Sequence, residues 1–116
     1  MIKLKNVRDM PEANDGERVL IERLWPLDVD VYLAKIHLWL RDLAPSYLLL
    51  EWYRDHSKEW SEFEKFFRVE LREPQKKGIF QELIRKSRDQ DVTLLYSGED
   101  SKRSAAYIVY REIQGG

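Results

Sequence analysis

The sequence contains no cysteine. That removes disulfide bridging, thiolate catalysis, zinc–thiolate sites and iron–sulfur ligation as explanations of what the chain does. Histidine is scarce, with two in 116 residues. Neither His37 nor His56 has a Ser or Asp at a spacing that implies a catalytic triad. No apolar run approaches the roughly 20 residues that a membrane-spanning helix needs. The opening Met1-Ile2-Lys3-Leu4-Lys5 alternates instead of running apolar as a signal peptide does. A cytoplasmic protein without membrane contact is therefore expected. An excess of charge of either sign is missing too: 20 Lys and Arg face 21 Asp and Glu, for a formal net charge of −1. That balance gives no electrostatic reason to expect nonspecific attachment to nucleic acid or anionic lipid.

What is present is globular. Hydrophobic residues make up 43% and charged residues 35%, too apolar for a disordered chain. The length predicts one domain, residues 1–116, able to bury a single core. Four Trp, six Tyr and four Phe supply large surfaces to bury.

Periodicity predicts the elements. Ile2 and Leu4 alternate with polar residues as in a strand with one buried face, and Pro11 to Gly16 is turn chemistry. Val19-Leu20-Ile21, within 18–24, is continuous enough for a strand covered on both faces, and Pro26 ends it. Leu33, Ile36, Leu40 and Leu43 fall at helical spacing until Ala44-Pro45 stops the helix. Ser46 is placed to cap a short helix through Trp52, and Ser57 a longer one bearing Trp60, Phe63, Phe67 and Leu71. Pro74 and Gly78 read as a break before a helix ending near Gln90. Residues 91–97 form the clearest buried strand, and Ala105, Ile108, Val109 and Ile113 mark one face of the last helix. The expectation is an α/β fold: a small, mostly parallel three-stranded sheet packed by about five helices. The second and third strands pair in parallel.

Arg18-Val19-Leu20-Ile21-Glu22-Arg23-Leu24-Trp25-Pro26 resembles a signature of the YeaO-like branch of domain-of-unknown-function family 488. That signature reads Arg-Val-Leu, Val or Ile, Asp or Glu, then Arg-Leu-Trp-Pro. Further matches follow in order at Trp39-Leu40, residues 42–46, Trp52, Trp60, Phe63, residues 93–96 and Asp100, spanning nearly the whole chain. The resemblance implies a compact α/β domain and carries with it no established reaction, cofactor or catalytic residue. It also exposes departures. Leu27-Asp28 stands where the family pattern has Arg-Gly, and Leu50 where it has an arginine. Asp55 stands where it has a histidine, and Ser104-Ala105 where it has Asn-His. If those polar positions form a shared site, this chain has lost or rebuilt it.

Two places could bind a small anion. Arg23 lies near the C-terminal end of a strand beside Trp25, where open α/β sheets place ligand crevices, and its planar fork suits a carboxylate or phosphate. The alternative is a structural arginine stacked on Trp25 or paired with a carboxylate such as Glu22 or Asp28. The second place is the loop after Tyr96: Ser97, Gly98, Asp100 and Ser101, with Ser104 in the following turn, where free N–H groups could cradle a phosphate. Against that, Glu99 and Asp100 are negative, one glycine is not a phosphate-loop signature, and Asp100 or Ser101 could simply cap the helix. Asp28, Asp30, Glu99 and Asp100 match no metal-ligand spacing, so neither a metal nor a cofactor is expected.

Tyr47-Leu48-Leu49-Leu50 and the adjacent Phe66 and Phe67 cannot all face one core, which suggests a homodimer through the central helices. The favoured reading is a small binding or accessory protein, not an enzyme, with an anion crevice near Arg23, Trp25 and the 96–104 loop. One alternative is an enzyme using Arg23 as clamp and Glu99 or Asp100 as acid/base. The other is a transcriptional regulator, disfavoured because no helix-turn-helix pair carries a basic recognition face.

Overall fold

A computed structural model describes residues 1–115. Its strands are β1 (Ile2–Asn6), β2 (Glu17–Leu20), β3 (Leu38–Trp39) and β4 (Val92–Tyr96). They form one parallel sheet in the order β1-β4-β2-β3. The helices are α1 (Tyr47–Asp55), α2 (Trp60–Leu71), α3 (Pro74–Asp89) and α4 (Ala105–Gly115), with short 3₁₀ turns at Ala13–Asp15, Arg41–Leu43 and Ser101–Arg103. The sheet thus has four strands where three were expected, and four α-helices where about five were expected. The parallel pairing of the two apolar strands holds, with Glu17 opposite Val92 and Leu20 opposite Leu95.

The two central strands are covered on both faces, which is why their sequences run apolar instead of alternating. On one face Ile2, Val19, Ile21, Val92 and Leu94 pack into the main core with Phe63, Phe67 and Leu71 of α2, and Ile108 and Val109 of α4. Each such side chain contributes about 1.5–3 kcal/mol by leaving water. The opposite face carries no helix. Val7, Leu20, Ile36 and Leu95 pack there beneath Trp25, Val29 and Ala34 of the β2–β3 connection. Beside them the alternate residues of the strands converge on the Ala13–Asp15 turn. Lys3 Nζ donates to the Asn14 carbonyl at 2.7 Å, and Thr93 Oγ1 to the Asp15 carbonyl at 2.7 Å.

The fifth helix, expected over 33–43, does not form. Asp30 caps a single turn by accepting from the N–H groups of Tyr32 (2.8 Å) and Leu33 (3.1 Å). Lys35, at φ 50°, then stops it in a left-handed conformation that an α-helix cannot continue. His37 N–H donates to the Arg18 carbonyl and Leu40 N–H to the Leu20 carbonyl, at 2.9 Å each, so the segment extends the sheet as β3. Leu33, the first residue of the apparent helical stripe, is left 80% exposed. Ile36 packs in the cluster beneath the sheet and Leu43 in the main core, so the apolar residues of this segment serve two clusters and not one helical face.

Caps differ in detail. Ser46 caps α1 as expected, its hydroxyl accepting from Leu49 N–H at 3.1 Å, and Glu70 of α2 holds it by accepting from Ser46 N–H and Oγ. The helix runs past Trp52 to Asp55. Ser57 does not cap α2; Glu59 precedes its first residue, and the Ser57 carbonyl instead accepts from Tyr53 OH. Pro74 and Gly78 are no break. Pro74 is the first residue of α3, where its missing N–H has no partner to lose, and the helix continues through Gly78.

Candidate functional site

Beyond Leu20 and Leu95 the two central strands run out together, Ile21 N–H still reaching the Leu95 carbonyl at 3.3 Å. The chain 22–26 and the chain after Tyr96 then line one cavity of about 440 Å³, at the C-terminal ends of the strands. Leu50 and Tyr53 of α1 and Trp60 and Phe63 of α2 form its apolar wall, and Arg103, Ser104 and Ala105 close it at the start of α4. Five residues singled out from the sequence therefore share it: Arg23, Trp25, Ser97, Gly98 and Ser104. Tyr96, Asp100 and Ser101 do not line it. Tyr96 packs against the main core, and Asp100 caps the 3₁₀ turn by accepting from Lys102 N–H at 3.0 Å. The Ser101 carbonyl accepts from the Ser104 hydroxyl at 2.8 Å, and that hydroxyl caps α4 by accepting from Tyr107 N–H at 3.1 Å.

Arg23 is structural in its contacts, though not with the partners the sequence suggested. Nε donates to the Pro45 carbonyl (3.1 Å) and Nη2 to the Ala44 carbonyl (2.8 Å). Nη1 lies 3.6 Å from Asp42 Oδ1, and the guanidinium sits 5.4 Å from the Tyr47 ring centre. Lys76 approaches the same corner from α3, donating to the Ala44 and Asp42 carbonyls. Burial, with Arg23 adding to it, pushes the Lys76 ammonium below its ordinary range. Glu22 and Asp28 take no part in holding Arg23. Trp25 is fixed separately: its Nε1 donates to the Val29 carbonyl at 2.9 Å, and its ring meets Trp39 edge-on at 5.2 Å.

Glu22 is the polar feature that sequence reasoning missed as a site residue. Its carboxylate accepts from Ser97 N–H at 3.1 Å and from the Ser97 hydroxyl. Burial pushes its carboxyl above the ordinary glutamate range, against the hydrogen bonds from Ser97 and the charge of Arg8. Arg8 itself donates to the Ser97 and Leu27 carbonyls at 3.0 and 3.1 Å. The available signal was a carboxylate directly following three buried residues at a strand end. Both histidines have local roles: His37 Nδ1 accepts from Arg18 N–H, and His56 stacks on Trp52 at 4.4 Å. Among the described residues, no group of three or more His, Asp or Glu side chains could hold a metal ion, and no helix is long and apolar enough to cross a membrane.

Three of the departures noted from the family pattern, Leu50, Ser104 and Ala105, lie in the wall of this one cavity. Leu27 is 84% exposed, and Asp55 is exposed at the end of α1. The profile of the inactive DUF488-N3 subclade matches residues 1–115. The chain belongs to that subclade. It is also similar to an uncharacterised protein of Mycobacterium tuberculosis, 31% identical over 70 residues, covering 60% of this chain and 59% of the relative. The match thus spans less than two thirds of that protein's length. The uncharacterised protein YeaO of Escherichia coli is 27% identical over 108 residues, covering 93% of this chain and 92% of YeaO. No solved structure matches the chain.

Proposed function

We propose that this member of the inactive DUF488-N3 subclade is a small binding or accessory protein without chemistry of its own, its ligand entering the cavity between β2, β4, α1, α2 and α4. The observation that carries this reading is the composition of the wall. Leu50, Ser104 and Ala105 stand in one cavity where the family pattern has an arginine and an Asn-His pair, so the histidine, the group among them suited to proton transfer, is gone. The description of the subclade as inactive supports the same reading. An enzyme with Arg23 as anion clamp draws less support, because that guanidinium already has acceptors of its own. Glu99 and Asp100, the acid/base candidates, stand outside the cavity. A small-metabolite screen by thermal shift is expected to find a stabilising ligand that the protein leaves chemically unchanged. Leu50→Arg, which fills the wall, is expected to abolish the shift. Protein-dependent product formation would overturn the non-catalytic reading, and the absence of any stabilising ligand would overturn the binding reading. Low-salt retention of DNA would favour a regulator instead.

A homodimer through the central helices is supported by an apolar stripe. Leu48 is 78% and Val69 62% exposed. Leu48 lies one turn from Trp52 on α1, and Val69 three residues from Phe66 on α2. Trp52 and Phe66 meet edge-on at 5.1 Å, joining the two halves. Light scattering at high concentration is expected to give a dimer mass that Leu48→Glu halves. A monomer mass for the unaltered chain would remove this reading.

A further inference from the structure

We infer that the ligand of the cavity is a small organic cation, an amine or quaternary ammonium carried on an apolar body, held by Glu22 against the aromatic wall. This inference rests on the binding reading above and adds the charge and chemical class of the ligand.

Three charged side chains line the cavity: Glu22, Arg23 and Arg103. They are not equivalent. The Arg23 fork is turned to the Ala44 and Pro45 carbonyls with Asp42 nearby, so its positive charge is answered within the wall. Arg103 lies at the rim, its side chain 55% exposed and 3.9 Å from Asp100, where water and a carboxylate answer it. Glu22 differs from both. Its hydrogen-bond partners are the neutral Ser97 N–H and hydroxyl. Among the described residues it forms no salt bridge; Arg8 acts on it only through space, its hydrogen bonds going to the Ser97 and Leu27 carbonyls. Glu22 is thus a carboxylate drawn out of water, hydrogen-bonded only by neutral groups and with no counter-ion in contact. Such a group is costly to keep unless something cationic arrives.

The rest of the wall has the matching character. Tyr53, Trp60 and Phe63 form one aromatic cluster, with Trp60 and Phe63 stacked at 4.8 Å and Tyr53 within 5.6 Å of Trp60 and 4.8 Å of Phe63. Trp25 adds a fourth ring to the same cavity. Aromatic faces carry negative quadrupole density and attract ammonium groups while also accepting an apolar body, and repel a carboxylate brought to the same place. Leu50 and Ala105 keep the remaining lining apolar. A cation on an apolar body suits the carboxylate and the rings together, whereas an anion would meet the like charge of Glu22.

The test uses three probes of similar size and shape on the full chain: benzylammonium, benzyl alcohol and benzoate. Binding is followed by intrinsic tryptophan fluorescence, with Trp25 and Trp60 in the wall, and by thermal shift. Benzylammonium is expected to bind at least about tenfold tighter than benzyl alcohol, with benzoate weakest. Glu22→Gln keeps an acceptor for Ser97 and removes the charge. It is expected to raise the melting temperature at neutral pH and to bring the benzylammonium and benzyl alcohol affinities to parity. Benzoate binding as well as benzylammonium, or a preference for benzylammonium that survives Glu22→Gln, would overturn the cation assignment and leave the binding reading in place. If none of the probes perturbs either signal at millimolar concentration, the cation assignment fails, and the binding reading is then decided by the wider metabolite screen. The probe series on the unaltered chain decides the sign of the charge even if the variant folds poorly.

Discussion

Asp15→Asn is expected to lower the unfolding free energy by about 3–5 kcal/mol, because it leaves Arg18 as a buried charge without its counter-ion. Asp15 and Arg18 are each 1% exposed. Oδ2 accepts from Arg18 Nη1 at 2.7 Å, from Glu12 N–H at 3.0 Å and from Lys5 Nζ at 3.1 Å. Arg18 Nη2 is already buried without a hydrogen-bond partner, so the guanidinium has no slack to absorb a further loss. An asparagine of the same shape presents no charge, and with its oxygen kept at the Oδ2 position its N–H₂ group faces the Lys5 ammonium. The melting temperature is expected to fall by about 10–20 °C, measured by calorimetry. Adding Arg18→Met removes the stranded charge, so the double variant is expected to be more stable than Asp15→Asn alone.

The same residue sets a pH dependence. Burial alone would push the Asp15 carboxyl up; the hydrogen bonds from Glu12 N–H, Lys5 and Arg18 outweigh it and hold the carboxyl below the ordinary range. A folded value below the unfolded one means that the stabilisation is fully present above the unfolded value, about 3.9. It is lost as pH falls through the folded value. The gap between the unaltered protein and Asp15→Asn is therefore expected to be constant near neutrality and to close in acid. A gap that stays unchanged however far the pH is lowered below the unfolded value would argue against the ion cluster as its cause.

Gly16→Ala, one residue on, is expected to cost about 2–6 kcal/mol for a different reason. Gly16 sits at φ 64° and ψ −137°, a region that is essentially glycine's alone, where another residue is strained by roughly 1–3 kcal/mol. A Cβ there would also lie 2.1 Å from the Asp91 carbonyl oxygen and 2.6 Å from its carbon. Backbone must move to admit it, at a further cost of about 1–3 kcal/mol. The displaced carbonyl is the one that accepts from Glu17 N–H at 3.0 Å, the bond that starts the β2–β4 pairing. Denaturant unfolding should show the loss, and amide exchange at Glu17 should accelerate. Gly78→Ala is the control: nothing lies within 4 Å of its would-be Cβ, and in a helix interior it is expected to be stabilising by about 0.5–1 kcal/mol.

The parts of this fold legible in the sequence are those where one residue type answers to one local requirement. Val92-Thr93-Leu94-Leu95 is fully buried because it is a central parallel strand, and its unbroken run of β-favouring residues reads as one. Ser46 reads as a cap because its hydroxyl is one turn from the N–H it serves. The 33–43 segment misleads because a helical period signals only that apolar residues recur, not what they face. Trp39 lies beside β2 and donates from Nε1 to the Glu22 carbonyl at 2.7 Å, across 17 residues of sequence.

The candidate site divides the same way. The sequence alone determined the α/β class, the two buried parallel strands, the family resemblance and the strand-end region where Arg23, Trp25, Ser97, Gly98 and Ser104 would gather. Only the tertiary structure decided how the charges there are answered. The sequence allowed Arg23 a structural role but not the Ala44 and Pro45 carbonyls that hold it, because these are backbone groups, which every residue carries and no motif marks. Glu22 looked like the partner of Arg23 because it is its neighbour, yet the fold hands it to Ser97, 75 residues away. Hydrogen-bond partners are set by where distant segments meet: the meeting of β2 with β4 brings Glu22 to Ser97, while Arg23 turns to the Ala44 and Pro45 carbonyls.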